Sequence, residues 1–139
     1  MYLLDTNVVS ETRRASRHGA VLAWLADQPP TTLFVPSISF LELQRGVEWT
    51  RVQDAIKAQE IERWIDEISV TANIIDFDLA AAREYSRLSR RKPEFVSEDG
   101  MIAAIARTRR LTVATRNVKD FKSFDVPVFN PFEYQRLRN

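Results

Sequence analysis

Cysteine is absent, histidine occurs once and glycine only three times in 139 residues. Without cysteine there can be no disulfide, thiolate nucleophile or zinc-cysteine site, and a reducing compartment is compatible. The one histidine, His18, sits in the basic stretch Arg13-Arg14-Ala15-Ser16-Arg17-His18. A multi-histidine zinc site is therefore excluded, and a Ser-His-Asp triad has almost no material. Gly19, Gly46 and Gly100 form neither G-x-G-x-x-G nor G-x-x-x-x-G-K-[ST], which argues against dinucleotide binding and against a P-loop. Long hydrophobic runs are also missing. The apolar opening Tyr2-Leu3-Leu4 is interrupted by Asp5, too soon for a signal peptide or a membrane span, so the expected location is cytoplasmic.

What remains is 45% hydrophobic, enough for one compact domain over residues 1–139 and too little for two. Net charge is only +1, but arginine gathers at Arg13, Arg14 and Arg17, at Arg87, Arg90 and Arg91 with Lys92, and at Arg107, Arg109 and Arg110. The guanidinium fork matches phosphate oxygens, so an anionic polymer is one reading. From charge alone solvated helix faces are the better one, because clusters spread along a chain need not converge in space.

Periodicity predicts alternating strands and helices. Tyr2 to Leu4 reads as a first strand, a short helical turn follows from Val8, and an amphipathic helix through Val21, Leu22, Trp24 and Leu25 is ended by Pro29-Pro30. Thr32 to Val35 reads as a second buried strand. Helices are expected from Ser39 to about Thr50 and from about Gln53 to Ile68, the latter with Ile61, Trp64, Ile65 and Ile68 on one face. Asn73 to Asp76 is a third strand, Asp78 caps a helix to about Arg91, Lys92 to Phe95 is its exit loop, and Ser97 caps a helix over Asp99 to Thr108. Leu111 to Thr115 and Val126 to Phe129 complete a parallel sheet of about five strands covered on both faces.

In such a sheet strand ends and the helix starts that follow open onto one crevice, where ligands bind. Asp5, Glu42 and Asp99 all fall at that edge. Each has a local explanation: Asp5-Thr6-Asn7 as an Asx turn, Ser39 to Glu42 as an S-x-x-E capping box, and Glu98-Asp99 as first-turn charge complementing the helix dipole. Their coincidence carries more weight, because crowded carboxylates oppose each other's ionisation unless a hard cation such as Mg²⁺ or Mn²⁺ lies among them. Thr6, Asn7 and Thr115 add short polar side chains suited to supporting hydrogen bonds or a phosphate oxygen. Trp24, Trp49 and Trp64 are expected in the core or a dimer interface.

Four segments in order, Met1 to Ser10, Phe40 to Gly46, Glu98 to Ala104 and Val113 to Asn117, with the ending Asn130-Pro131-Phe132, resemble the PIN-domain ribonucleases, specifically the VapC and FitB-like toxins. The resemblance spans nearly the whole chain. It implies a three-layer α/β/α fold, Mg²⁺- or Mn²⁺-dependent cleavage of RNA, a homodimer, and inhibition by a VapB- or FitA-like antitoxin that alone reaches operator DNA. Carried over by position, Asp5, Glu42 and Asp99 are the metal residues, with Asp5 and Asp99 as direct ligands, and Thr6, Asn7, Thr115 and Arg116 contact nucleic acid. The fourth position departs, since Asn117 follows Thr115-Arg116 where many relatives carry an acid, and Asp120 lies three residues on. Two other readings stay open: a PIN-like binding module without catalysis, acting through antitoxin and operator DNA, and a metal-dependent phosphatase, disfavoured by the missing Gly-rich loop.

Overall fold

The computed structural model describes residues 1–14, 17–91 and 97–137. In chain order the elements are β1 (Tyr2–Leu4), α1 (Thr6–Glu11), α2 (Gly19–Asp27), β2 (Leu33–Pro36), α3 (Ser37–Gln53), α4 (Ala55–Thr71), β3 (Ile74–Ile75), α5 (Leu79–Arg91), α6 (Glu98–Arg109), β4 (Thr112–Ala114), α7 (Val118–Lys122) and β5 (Val128–Phe129), with single 3₁₀ turns at Pro30–Thr32 and Pro131–Glu133. The five strands form one sheet in the order β3-β2-β1-β4-β5, and every pairing is parallel. The chain leaves β1 toward one side of the sheet and later returns to pair β4 on the other. The crevice beyond the ends of β1 and β4 is thus a topological switch point, the place where open α/β sheets bind ligands.

Side chains alternate along each strand, and the two cores show it. Leu3 and Val113 pack with Ile102, Ile105 and Phe121 under α5, α6 and α7. Leu4, Val35 and Ala114 pack on the opposite face with Val8, Val9, Val21 and Trp24. Trp24 meets Tyr2 edge-on at 4.9 Å and Phe129 at 5.4 Å. Each large side chain buried this way contributes about 1.5 to 3 kcal/mol. Helices on both faces of a parallel sheet make the three layers the sequence predicts.

The predicted caps form where the signals are local. Ser97 Oγ accepts the Gly100 N–H at 3.2 Å, Asp78 Oδ1 accepts that of Ala81 at 2.9 Å, and the predicted apolar stripe of α4 faces the core, with Ile65 buried. Two expectations change. The helix expected from Ser39 starts at Ser37, directly after Pro36, so the Ser39–Glu42 capping box does not exist: Ser39 lies inside the helix and is fully buried. Trp49 is 72% exposed, so of the core and dimer-interface expectations only the second still applies to it. The exit loop expected at Lys92 to Phe95 lies outside the described residues. No helix among the described residues is long and apolar enough to cross a membrane.

Candidate metal centre

Asp5 follows directly on β1 and caps α1, with Oδ1 accepting the Thr6 N–H at 2.8 Å. Its own N–H continues the sheet to Ala114 O at 3.0 Å, which brings the residues after β4 alongside. Thr115 Oγ1 then donates to Asp5 Oδ2 at 2.8 Å across 110 residues of sequence. The Asn7 amide donates to the same oxygen at 3.1 Å, and Asn7 Oδ1 accepts the Arg116 N–H at 3.3 Å. Asp5 is 3% exposed. Burial raises its pKa above the ordinary carboxylate value, with the bonds from Thr115, Thr6 and Asn7 pulling the other way.

Thr115 is itself fully buried and also accepts the Asn117 N–H at 2.9 Å. The structure therefore places Thr115 behind the carboxylate, holding it, rather than on the open side of the crevice. Thr115→Val keeps the shape but removes the donor, leaving a buried carboxylate oxygen short of one hydrogen bond. The expected cost is about 1 to 3 kcal/mol, read by urea denaturation. A variant as stable as the wild type would show that this bond does not hold Asp5.

Glu42 reaches the site from the second turn of α3. Its Oε1 is buried and has no hydrogen-bond partner. Burial, with the charges of Asp5, Asp99 and Glu98, raises its pKa to about 7, and the Thr6 hydroxyl opposes this weakly. That hydroxyl is 3.0 Å from Ser39 Oγ, so buried Ser39 steadies Thr6 instead of capping the helix. Asp99 stands in the first turn of α6. Its pKa is raised to about 6 by burial and by the charges of Asp5, Asp120 and Glu98, and no hydrogen bond opposes the shift. Glu98 points elsewhere, to Arg45 at 2.8 Å; its own backbone N–H and that bond hold its pKa low.

Electrostatics thus ties Asp5, Glu42, Asp99 and Asp120 into one cluster, with the cost borne by Glu42 and Asp99. Asn117 is exposed at the start of α7, and its side chain caps nothing. Among the described residues no three His, Cys, Asp or Glu side chains already stand close enough to cage a metal ion. The fit to a hard divalent cation lies in the chemistry of the donors, all oxygen, and in the unpartnered buried Oε1 of Glu42.

Sequence reasoning missed Glu11. It is 3% exposed and accepts the His18 N–H at 3.0 Å and an Arg14 N–H at 3.1 Å. Burial pushes its pKa up, but those two bonds and the charges of Arg14 and Arg116 outweigh it and hold the carboxyl low. The i, i+3 spacing to Arg14 was the only sequence signal, and it is common on solvated helices. Of the arginine clusters, Arg107 pairs with Glu84 and Asp125, Arg109 with Asp78 and Arg87 with Glu84, the structural role that charge alone favoured.

The PIN-domain family model matches residues 2–127. The chain belongs to the PIN-domain family. Toxin FitB of Neisseria gonorrhoeae is 32% identical over 139 residues, covering 95% of this chain and 99% of FitB. VapC ribonuclease Y4jK of Sinorhizobium fredii is 33% identical over 144 residues, with 96% and 99% covered. Among solved structures, FitAcB from Neisseria gonorrhoeae superposes with a TM-score of 0.81 at 31% identity, over 96% of this chain and 99% of that one. In this PIN domain Asp5 follows β1 and is bonded to Thr115 beyond β4, and its charge raises the pKa of both Glu42 and Asp99.

Proposed function

We propose that this PIN domain, acting as one unit over 1–139, is the toxin of a toxin-antitoxin pair and an endoribonuclease that hydrolyses RNA phosphodiester bonds with Mg²⁺ or Mn²⁺. The observation that carries the metal site is the buried, unpartnered Oε1 of Glu42, set in the field of two further carboxylates. A lone carboxylate oxygen in that position is costly unless a proton or a cation satisfies it. The likeness to FitB and to a VapC ribonuclease supports the class of activity, and the likeness to FitAcB supports a FitA- or VapB-like antitoxin as partner. The expected assembly is a homodimer in the cytoplasm that meets operator DNA only through the antitoxin.

Asp5 and Asp99 would hold the ion directly, with Glu42 completing the set. When bound, the cation supplies Lewis-acid charge to the phosphodiester under attack. Thr115 and Asn7 keep Asp5 in one orientation, and Thr6 stays tied to Ser39 beside Glu42. Glu42 and Asp99, with pKa values raised to about 7 and about 6, would give up protons to an incoming cation near neutral pH. Arg116, exposed on the crevice side of Asn7, holds the RNA backbone. Incubating the purified chain with single-stranded RNA and Mn²⁺, with and without EDTA, tests the whole reading: cleavage that EDTA stops is expected, and cleavage that persists in EDTA refutes the metal site.

A binding module without catalysis is the second reading, favoured by the fact that among the described residues no three acids stand ready as a cage. Against it stands the cost of holding Glu42 and Asp99 half-buried in the field of Asp5 with no ion to relieve them. Asp120 and Asn117 provide a further check. Asp120 acts on Asp99 through its charge, so it takes the fourth acidic position three residues beyond Asn117. Asp120→Asn is expected to weaken Mn²⁺ binding severalfold and slow cleavage, and Asn117→Asp to tighten binding. Calorimetric titration giving wild-type affinity for both would leave Asp5, Glu42 and Asp99 as the complete site.

A further inference from the structure

Glu42 borders two spaces. On one side are Asp5 and Asp99; on the other is a cavity of about 490 Å³ between α1, α3 and α4, within the usual range of ligand pockets. Its wall is apolar, with Leu43, Ile61 and Trp64, and its rim is cationic, with Arg13 and Arg116. Arg14 also reaches the rim, but its charge is matched by Glu11.

Neither Arg13 nor Arg116 makes an ion pair among the described residues. Each faces an aromatic ring instead: the Arg13 guanidinium 5.9 Å from the Trp64 ring centre, at the outer edge of cation–π range, and that of Arg116 stacked 3.8 Å from the ring of Phe132. A guanidinium laid on a ring keeps its N–H donors free at its edge. Two such groups over an apolar wall, opening onto a phosphodiester-cleaving site, match one chemical object: a base to stack and a phosphate to bind. A hydrophobic peptide would use the wall but leave the two rim cations unmatched.

Resting on the nuclease reading above, we propose that this cavity is a subsite for one unpaired nucleotide of the RNA strand adjacent to the cut bond, its base stacked on the Arg13–Trp64 pair and its phosphate held by Arg116. Phe132 is a positioning residue for Arg116. A base already stacked in a duplex cannot offer its face to the pair, so the subsite selects single-stranded RNA.

The test uses full-length Asp99→Asn protein with Mn²⁺, which leaves RNA uncut, and fluorescence anisotropy with a labelled single-stranded RNA oligomer. By the usual strength of one base stacked on a side chain, Arg13→Ala and Trp64→Leu should each weaken binding about fivefold to 150-fold. Arg13→Lys should not restore it. In a series of oligomers each lacking one base, a single position should abolish the difference between these variants and their parent. Arg13 is exposed, so its variants report even if Trp64→Leu is poorly folded. Unchanged affinity in the Arg13 variants overturns the proposal, as does full rescue by lysine or an equal loss on duplex RNA, both of which indicate charge alone. So does a loss of affinity confined to the antitoxin, which would make the cavity a protein groove. RNA cleavage by the wild-type chain is scored separately: if it cuts RNA while the Arg13 variants bind normally, the subsite falls and the nuclease stands; if it neither cuts nor binds RNA, both fall.

Discussion

Asp5→Asn and Asp99→Asn are each expected to lower RNA cleavage by about a thousandfold or more, since the several kcal/mol a bound cation contributes to the transition state translate into that factor. Neither change should unfold the protein. Asn keeps the size of Asp, and removing one of several crowded charges relieves the repulsion now carried by Glu42 and Asp99. Asp99→Asn in particular should melt at or above the wild-type temperature in EDTA. Burial of Glu42 and Asp99, together with that crowding, gives stability a pH dependence whose sign is opposite to that of an ordinary ion-paired carboxylate. Glu42 and Asp99 titrate at about 7 and about 6 when folded, against ordinary values of 4.5 and 3.8. Between those limits the folded chain binds more protons than the unfolded one, so the unfolding free energy falls as pH rises. The contribution of these two acids is fully present below about pH 4 and is lost through about pH 6 to 7. Acids held low by arginine, such as Glu84 and Asp27, act below about pH 5 and leave this window clear. Melting temperatures from pH 5 to 8 in EDTA should therefore decline in the wild type and decline less in Asp99→Asn, while Mn²⁺ should reverse the trend as protons cease to compete with it. Wild-type cleavage rates in either Asn variant would remove these residues from the site. Chelated wild-type protein growing more stable from pH 5 to 8 would contradict the crowding itself.

Growth arrest is the second large effect expected. Expressing the chain by itself in a bacterial host should cut viable counts by orders of magnitude, because a nuclease whose crevice is open to single-stranded RNA acts on the host's own transcripts. Asp5→Asn, expressed at the same level, should be harmless. That contrast ties toxicity to the carboxylates and not to overproduction. Co-expression of a VapB- or FitA-like antitoxin encoded beside this chain should restore growth and should yield a co-purifying complex. Harmless expression of folded wild-type protein that cleaves RNA in vitro would reject the toxin role while leaving the nuclease intact, and arrest by Asp5→Asn as severe as by the wild type would trace toxicity to binding without catalysis.

The sequence by itself determined the alternation of strands and helices, since the signals are short-range. Ser97 bonds three residues ahead and Asp78 does the same, and the apolar stripe of α4 repeats within each turn. It also led to the expectation that Asp5, Glu42 and Asp99 lie at one edge, and in the structure the charges of Asp5 and Asp99 do act on Glu42. What it could not determine was which local reading each acid obeys. The segment Ser39 to Glu42 is a complete capping box in sequence, and only the docking of α3 directly behind Pro36 buries Ser39 and leaves Glu42 Oε1 without a partner. The sequence offers Thr115 as a supporting hydrogen bond or a phosphate contact, and only the pairing of β1 with β4 makes it the donor to Asp5. Glu11, the Arg13–Trp64 pair and the stacking of Arg116 on Phe132 likewise join segments far apart or turn on burial. Burial and charge-charge interaction are sums over everything that surrounds a group, and so the pKa values of the carboxylates and the cavity beside Glu42 were decided by the tertiary structure alone.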